Sequence, residues 1–150
     1  MEPSEVRRRV LKDHDMLRGR IESLERLAER AVSGARVTSD ALRTSATELL
    51  AALRTHMAWE DRYLAPALRD ADAWGPERVA QFARDHRQQR ADIEHLLESL
   101  ADREEPGAFL ASRLLDWIHE LHADMLDEEQ AFLDPRVLRD DVVGIDVETG

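Results

Sequence analysis

Apolar residues recur every third or fourth position through four stretches of this chain, and Gly- or Pro-containing breaks separate the stretches. The first carries Val6, Val10, Leu17, Ile21, Leu24 and Ala28, and Gly34 closes it. The second carries Leu42, Leu49, Leu53 and Leu64, and Trp74-Gly75-Pro76 follows it. The third carries Val79, Phe82, Ile93, Leu96 and Leu100, before the connection Glu104-Glu105-Pro106-Gly107. The fourth carries Leu110, Leu114, Trp117/Ile118, Leu121, Met125 and Phe132. This period is that of a helix with one buried face. Four such helices with short connections bury their stripes together, which predicts an all-α, antiparallel up-down-up-down four-helix bundle.

The boundaries follow from local signals. Ser4 is expected to cap a first helix running to about Gly34, and Thr38-Ser39-Asp40 offers caps for a second, from about Asp40 to Ala71. Pro66 is expected to kink that helix or end it early. Pro76 suits the start of a third helix reaching about Leu100, and a fourth stops near Pro135. The bundle is expected over residues 1–135, with a tail over 136–150. The tail's apolar-acidic piece, Val142-Val143-Gly144-Ile145-Asp146-Val147-Glu148, is expected to lie extended against the bundle, with a docking peptide as the other reading.

Composition narrows the function. The net charge of −11 argues against nucleic acid or an anionic membrane as partner. No apolar run is long enough to span a bilayer, and no apolar segment follows Met1-Glu2-Pro3-Ser4, so the cytoplasm is the expected location. With no cysteine, a metal site has to use nitrogen and oxygen ligands, which suit iron, manganese or zinc.

Such ligands interrupt the apolar stripes. His14 falls on the first stripe, His56 and Glu60 on the second, His86 and Gln89 on the third, and His122 beside Leu121 on the fourth. His56 and Glu60 are one helical turn apart on one face. Burying an ionised Glu without a partner is costly, and a metal ion is one partner that takes His56 and Glu60 together. Beyond His122 lie Asp127, Glu128 and Glu129. His95, His119, Glu98, Glu104, Glu105, Glu128 and the Arg7-Arg8-Arg9 run read as solvated faces, and Met57, Trp59 and Trp117 as core packing.

The chain also repeats itself. Asp13-His14, Arg18, Ile21, Glu22 and Leu24 recur 72 residues later as Asp85-His86, Arg90, Ile93, Glu94 and Leu96. Glu60, Tyr63, Leu64 and Pro66 recur 69 residues later as Glu129, Phe132, Leu133 and Pro135. The bundle is therefore expected to be two copies of one helical hairpin.

The series His14, His56-x3-Glu60, His86 and His122-x4-Asp127 resembles the hemerythrin-like, or HHE cation-binding, family over roughly residues 5–135. The resemblance implies a non-haem di-iron centre whose histidines come from all four helices and whose two carboxylates bridge the irons. It carries His14, His56, Glu60 and His86 over directly, and His122 with Asp127 by spacing. Two positions depart from the family's pattern. Where oxygen-carrying members have a second histidine on the third helix this chain has Arg90, leaving an open place, a water or Gln89 to fill it. On the fourth helix the internal repeat favours Glu129 over Asp127, and a local π-bulge between 122 and 129 would reconcile the two.

Ferritin-like bundles use Glu-x-x-His instead, and here only Asp92/His95 and Asp116/His119 approach it. The function expected from the resemblance is a di-iron protein that binds or senses dioxygen, nitric oxide or a related small oxidant. An enzyme consuming peroxide or oxygen, and an interaction protein with a degraded, zinc-binding site, are the alternatives.

Overall fold

A computed structural model of the protein describes residues 1–141. Its helices are α1 (Pro3–Val32), α2 (Ser39–Arg69), α3 (Gly75–Ala101) and α4 (Gly107–Phe132), and no strand occurs among the described residues. They form an all-α, antiparallel four-helix bundle in which α2 packs on α1 and α3, and α4 packs chiefly on α1. At 1.5 Å per residue each helix is about 40–45 Å long. None of them is long and apolar enough to cross a membrane.

Most caps follow the sequence, and one does not. The Thr38 hydroxyl accepts from the Ala41 N–H and caps α2. The start of α1 is instead Glu2, in a reciprocal capping box with Glu5, with Pro3 as the first helical residue. Ser4 lies inside the helix, where its N–H and hydroxyl both donate to Asp140, at 2.9 and 2.6 Å. Pro66 does not end α2 early, since the helix continues to Arg69. Gly34 takes φ 88, a left-handed value that closes α1 without the penalty a side chain would meet. At Gly75 the end of α2 comes so close that an added Cβ would sit 2.1 Å from the Arg69 carbonyl oxygen.

The core is in two parts. One apolar cluster gathers Leu17, Ile21 and Leu24 of α1 with Leu50, Leu53 and Met57 of α2, Ile93 and Leu96 of α3, and Leu114, Ile118 and Met125 of α4. The other gathers Val6, Val10, Leu64, Leu68, Phe82, Phe132, Leu133 and Leu138. The second cluster reaches past Pro135, because Leu138 is 2% exposed and packs within it. Arg7 ties the end of α4 to α1 by donating to the Leu133 carbonyl at 2.6 Å. The apolar-acidic piece of the tail, 142–148, lies outside the described residues.

Candidate metal centre

Polar residues fill the level between the two apolar clusters. On α1, His14 stands between Val10 and Leu17; on α2, Glu60 stands between Met57 and Leu64. On α3, His86 stands between Phe82 and Ile93; on α4, Glu128 stands between Met125 and Phe132. His56 sits one turn before Glu60. The apolar stripes on either side drive each helix to bury this level along with its neighbours, so the polar groups enter the core as a consequence of the stripe's period. His14, Glu60 and His86 are each 1% exposed.

The inward-facing atoms converge. One ligand atom each from His14, His56, Glu60 and Glu128 falls within 4.8 Å of all the others. Nε2 of His56 and Nε2 of His86 lie 3.1 and 3.3 Å from the same oxygen, Glu60 Oε1. Nε2 of His14 lies 3.3 Å from Glu128 Oε1. Four of the inward atoms, His56 Nε2, His86 Nε2, Glu60 Oε2 and Glu128 Oε1, are buried with no hydrogen-bond partner. Buried polar groups are nearly always paired, and four orphans in one spot fit a cation that would be their common partner. Imidazole nitrogen and carboxylate oxygen are a donor set for iron, manganese or zinc.

The outward-facing nitrogens are held. His14 Nδ1 meets Glu129 Oε2 at 2.7 Å, and Arg18 donates to the other oxygen of Glu129 at 2.7 Å. His86 Nδ1 meets Asp61 Oδ1 at 2.8 Å, and Arg90 donates to the other oxygen of Asp61. His56 Nδ1 meets Asp13 Oδ2 at 3.4 Å, and Arg9 donates to the other oxygen of Asp13 at 3.1 Å. Each carboxylate oxygen only accepts, so each Nδ1 carries a proton, and in the neutral imidazole Nε2 is then the nitrogen with a lone pair to offer.

The electrostatics are those of a core that is short of positive charge. Burial, reinforced by the charge of Glu128, pushes the Glu60 carboxyl well above the ordinary carboxylate range. For Glu128 burial works the same way but is outweighed by a hydrogen bond from Glu60 and by His14, so its carboxyl is held low. Two carboxyls this close share a proton, because both cannot ionise side by side in a dry core. Burial lowers His56 and His86 towards the neutral imidazole. At His14 burial also lowers, but Glu128 and Glu129 outweigh it and the group is raised. A divalent cation removes the conflict by letting both carboxylates ionise.

The residues expected from the sequence divide. His14, His56, Glu60 and His86 stand together in this layer. Glu129 is beside it but faces His14 Nδ1 and Arg18, not the interior. Asp127 is exposed and His122 is half-buried, and neither joins the group. On a regular helix His122 and Asp127 stand about 120° and 100° round the axis from Glu128. No π-bulge turns them inward, because α4 is regular from Gly107 to Phe132.

Glu128, read above as a solvated residue, is the carboxylate that enters the core, with its side chain 10% exposed. Its signal was in the stripe. Leu114, Ile118, Leu121, Met125 and Phe132 step by four, three, four and then seven, and Glu128 fills the gap left in that last step. The repeat is correspondingly displaced by one residue. Glu60 and Asp61 correspond to Glu128 and Glu129, and His14 and Arg18 to His86 and Arg90. His95 and His119 are exposed, and Met57 and Trp117 are core, as read from the sequence.

The family model of the hemerythrin HHE cation-binding domain matches residues 6–134. No curated protein and no solved structure matches the chain.

Proposed function

This chain belongs to the hemerythrin HHE cation-binding domain family, and from that premise we propose that it is a non-haem di-iron protein that binds or senses dioxygen, nitric oxide or a related small oxidant. The observation that carries the reading is the set of four orphaned nitrogen and oxygen atoms, buried at one level and aimed at one another. In this reading His14, His56, His86, Glu60 and Glu128 would hold the metal, with the Nε2 atoms of His56 and His86 both close to Glu60. When bound, the irons supply the electrons that a small oxidant takes up.

The chain's own residues provide the surroundings that such chemistry needs. The apolar clusters on either side keep bulk water away, and the Phe82 ring lies 4.0 Å from the His86 ring. A groove of about 790 Å³ between α1 and α2, walled by Met16, Ala52, Trp59 and Tyr63, reaches His56 and Asp13. It supports approach of a small molecule to the His56 side of the centre. Among the described residues three histidines, His14, His56 and His86, face the interior, which favours a binding or sensing centre with open positions over a fully ligated oxygen carrier. An enzyme consuming peroxide at the same centre is the alternative, and steady-state turnover of peroxide by the iron-loaded protein separates the two. Anaerobic titration with nitric oxide, followed by absorption, tests the proposal: a saturable spectrum that disappears in His56→Ala supports it, and no spectral change at full iron loading removes it.

A further inference from the structure

We propose that Arg90 is a positioning residue of the metal centre, acting through Asp61 on His86. The contact sequence is direct. Arg90 donates to Asp61 Oδ2, Asp61 Oδ1 accepts from His86 Nδ1 at 2.8 Å, and His86 Nε2 lies 3.3 Å from Glu60 Oε1. One small carboxylate thus joins an arginine in solvent to a histidine in the core, and both partners share its two oxygens. Asp61 holds the His86 ring with Nε2 inward, and Arg90 holds Asp61.

The same device occurs a second time, between α1 and α4, built from different residues. Arg18 holds Glu129 at 2.7 Å, Glu129 holds His14 Nδ1 at 2.7 Å, and His14 Nε2 lies 3.3 Å from Glu128. In both, the arginine stands four residues after its histidine, and the carboxylate directly follows the inward glutamate. A third version, from Arg9 through Asp13 to His56, is longer, at 3.1 and 3.4 Å. Three histidines thus carry the same kind of attachment, a carboxylate on Nδ1 that is itself held by an arginine.

Magnitude separates positioning from a merely structural role. Arg90 and Asp61 are 46% and 43% exposed, and ion pairs that open to water add little to stability. Residues that orient a metal-bound histidine, in contrast, typically change metal affinity by about 10- to 100-fold when removed. The molecule contains its own control. Arg54 and Glu94 also join α2 to α3, are 51% and 63% exposed, and touch no histidine.

The inference rests on reading the layer as a metal centre. The test is competitive titration of ferrous iron, and separately of cobalt(II), into the full-length protein without air, with the melting temperature of the metal-free protein recorded for each variant. Asp61→Asn and Arg90→Ala are expected to weaken binding of the ion next to His86 by about 10- to 100-fold, to alter the cobalt spectrum, and to melt within a degree or two of Arg54→Ala. Arg90→Lys is expected to recover part of the loss. In a His86→Ala background, Arg90→Ala is expected to have no further effect. A loss no larger than that of Arg54→Ala, or a loss that persists in the His86→Ala background, overturns the proposal. If His56→Ala itself leaves metal binding unchanged, the failure belongs to the metal reading instead.

Discussion

Glu60 of α2 and Glu128 of α4 bring carboxylate oxygens within 4.8 Å of each other in the middle of the bundle. That placement is costly without a cation, since burial opposes ionisation of both. Glu60→Gln keeps the volume and removes the carboxyl that burial beside Glu128 holds away from its ordinary ionisation. In metal-free protein it is expected to raise Tm by about 2–4 °C, the shift that on the order of 1 kcal/mol produces in a domain of this size. The same change is expected to cost at least tenfold in ferrous affinity. Thermal melts with a chelator and anaerobic titration read the two effects, and a lower metal-free Tm contradicts the account.

Helix α4 offers three neighbouring acids with three different positions. Glu128 faces the core, Glu129 faces His14 Nδ1, and Asp127 faces solvent. Glu128→Ala is expected to abolish tight binding of metal. Glu129→Ala is expected to weaken it by about tenfold, the effect of losing a group that orients a ligand. Asp127→Ala is expected to leave it unchanged. Metal retained per chain after gel filtration gives the order, and metal loss in Asp127→Ala alone sinks this register.

Leu138 is 2% exposed although it follows the last helix. Its side chain completes the cluster of Val6, Leu64, Phe82 and Phe132. Leu138→Ala is expected to cost about 2–3 kcal/mol in urea unfolding, as removal of a buried Leu side chain does elsewhere. A cost below about 0.5 kcal/mol, the range of ordinary surface changes, would mean that the segment after Pro135 contributes no packing.

Much of this was legible in the chain. The apolar period, broken at Gly34, Trp74-Gly75-Pro76 and Pro106-Gly107, was enough for four helices in a bundle, because each stripe is long and none can be buried alone. His14, His56, Glu60 and His86 were visible as polar residues on those stripes. Glu128 was not chosen because three consecutive acids look like a solvated surface, and the repeat offered Glu129 in its place. Only the angular position relative to Leu121, Met125 and Phe132 tells the three apart. The attachments of the histidines were out of reach for another reason. Asp61 and His86 are on different helices, as are Glu129 and His14, so their meeting depends on helix rotation and height rather than on spacing along one helix.

The most direct measurement of the central claim is ferrous iron bound per chain, titrated without air, followed by the absorption spectrum after oxidation, for the native protein and for His56→Ala. The account predicts two irons per native chain, near-ultraviolet absorption from an oxidised iron pair, and loss of most iron from a His56→Ala protein that is still helical. A native protein that binds no iron, or a His56→Ala protein that keeps its full complement, would contradict it.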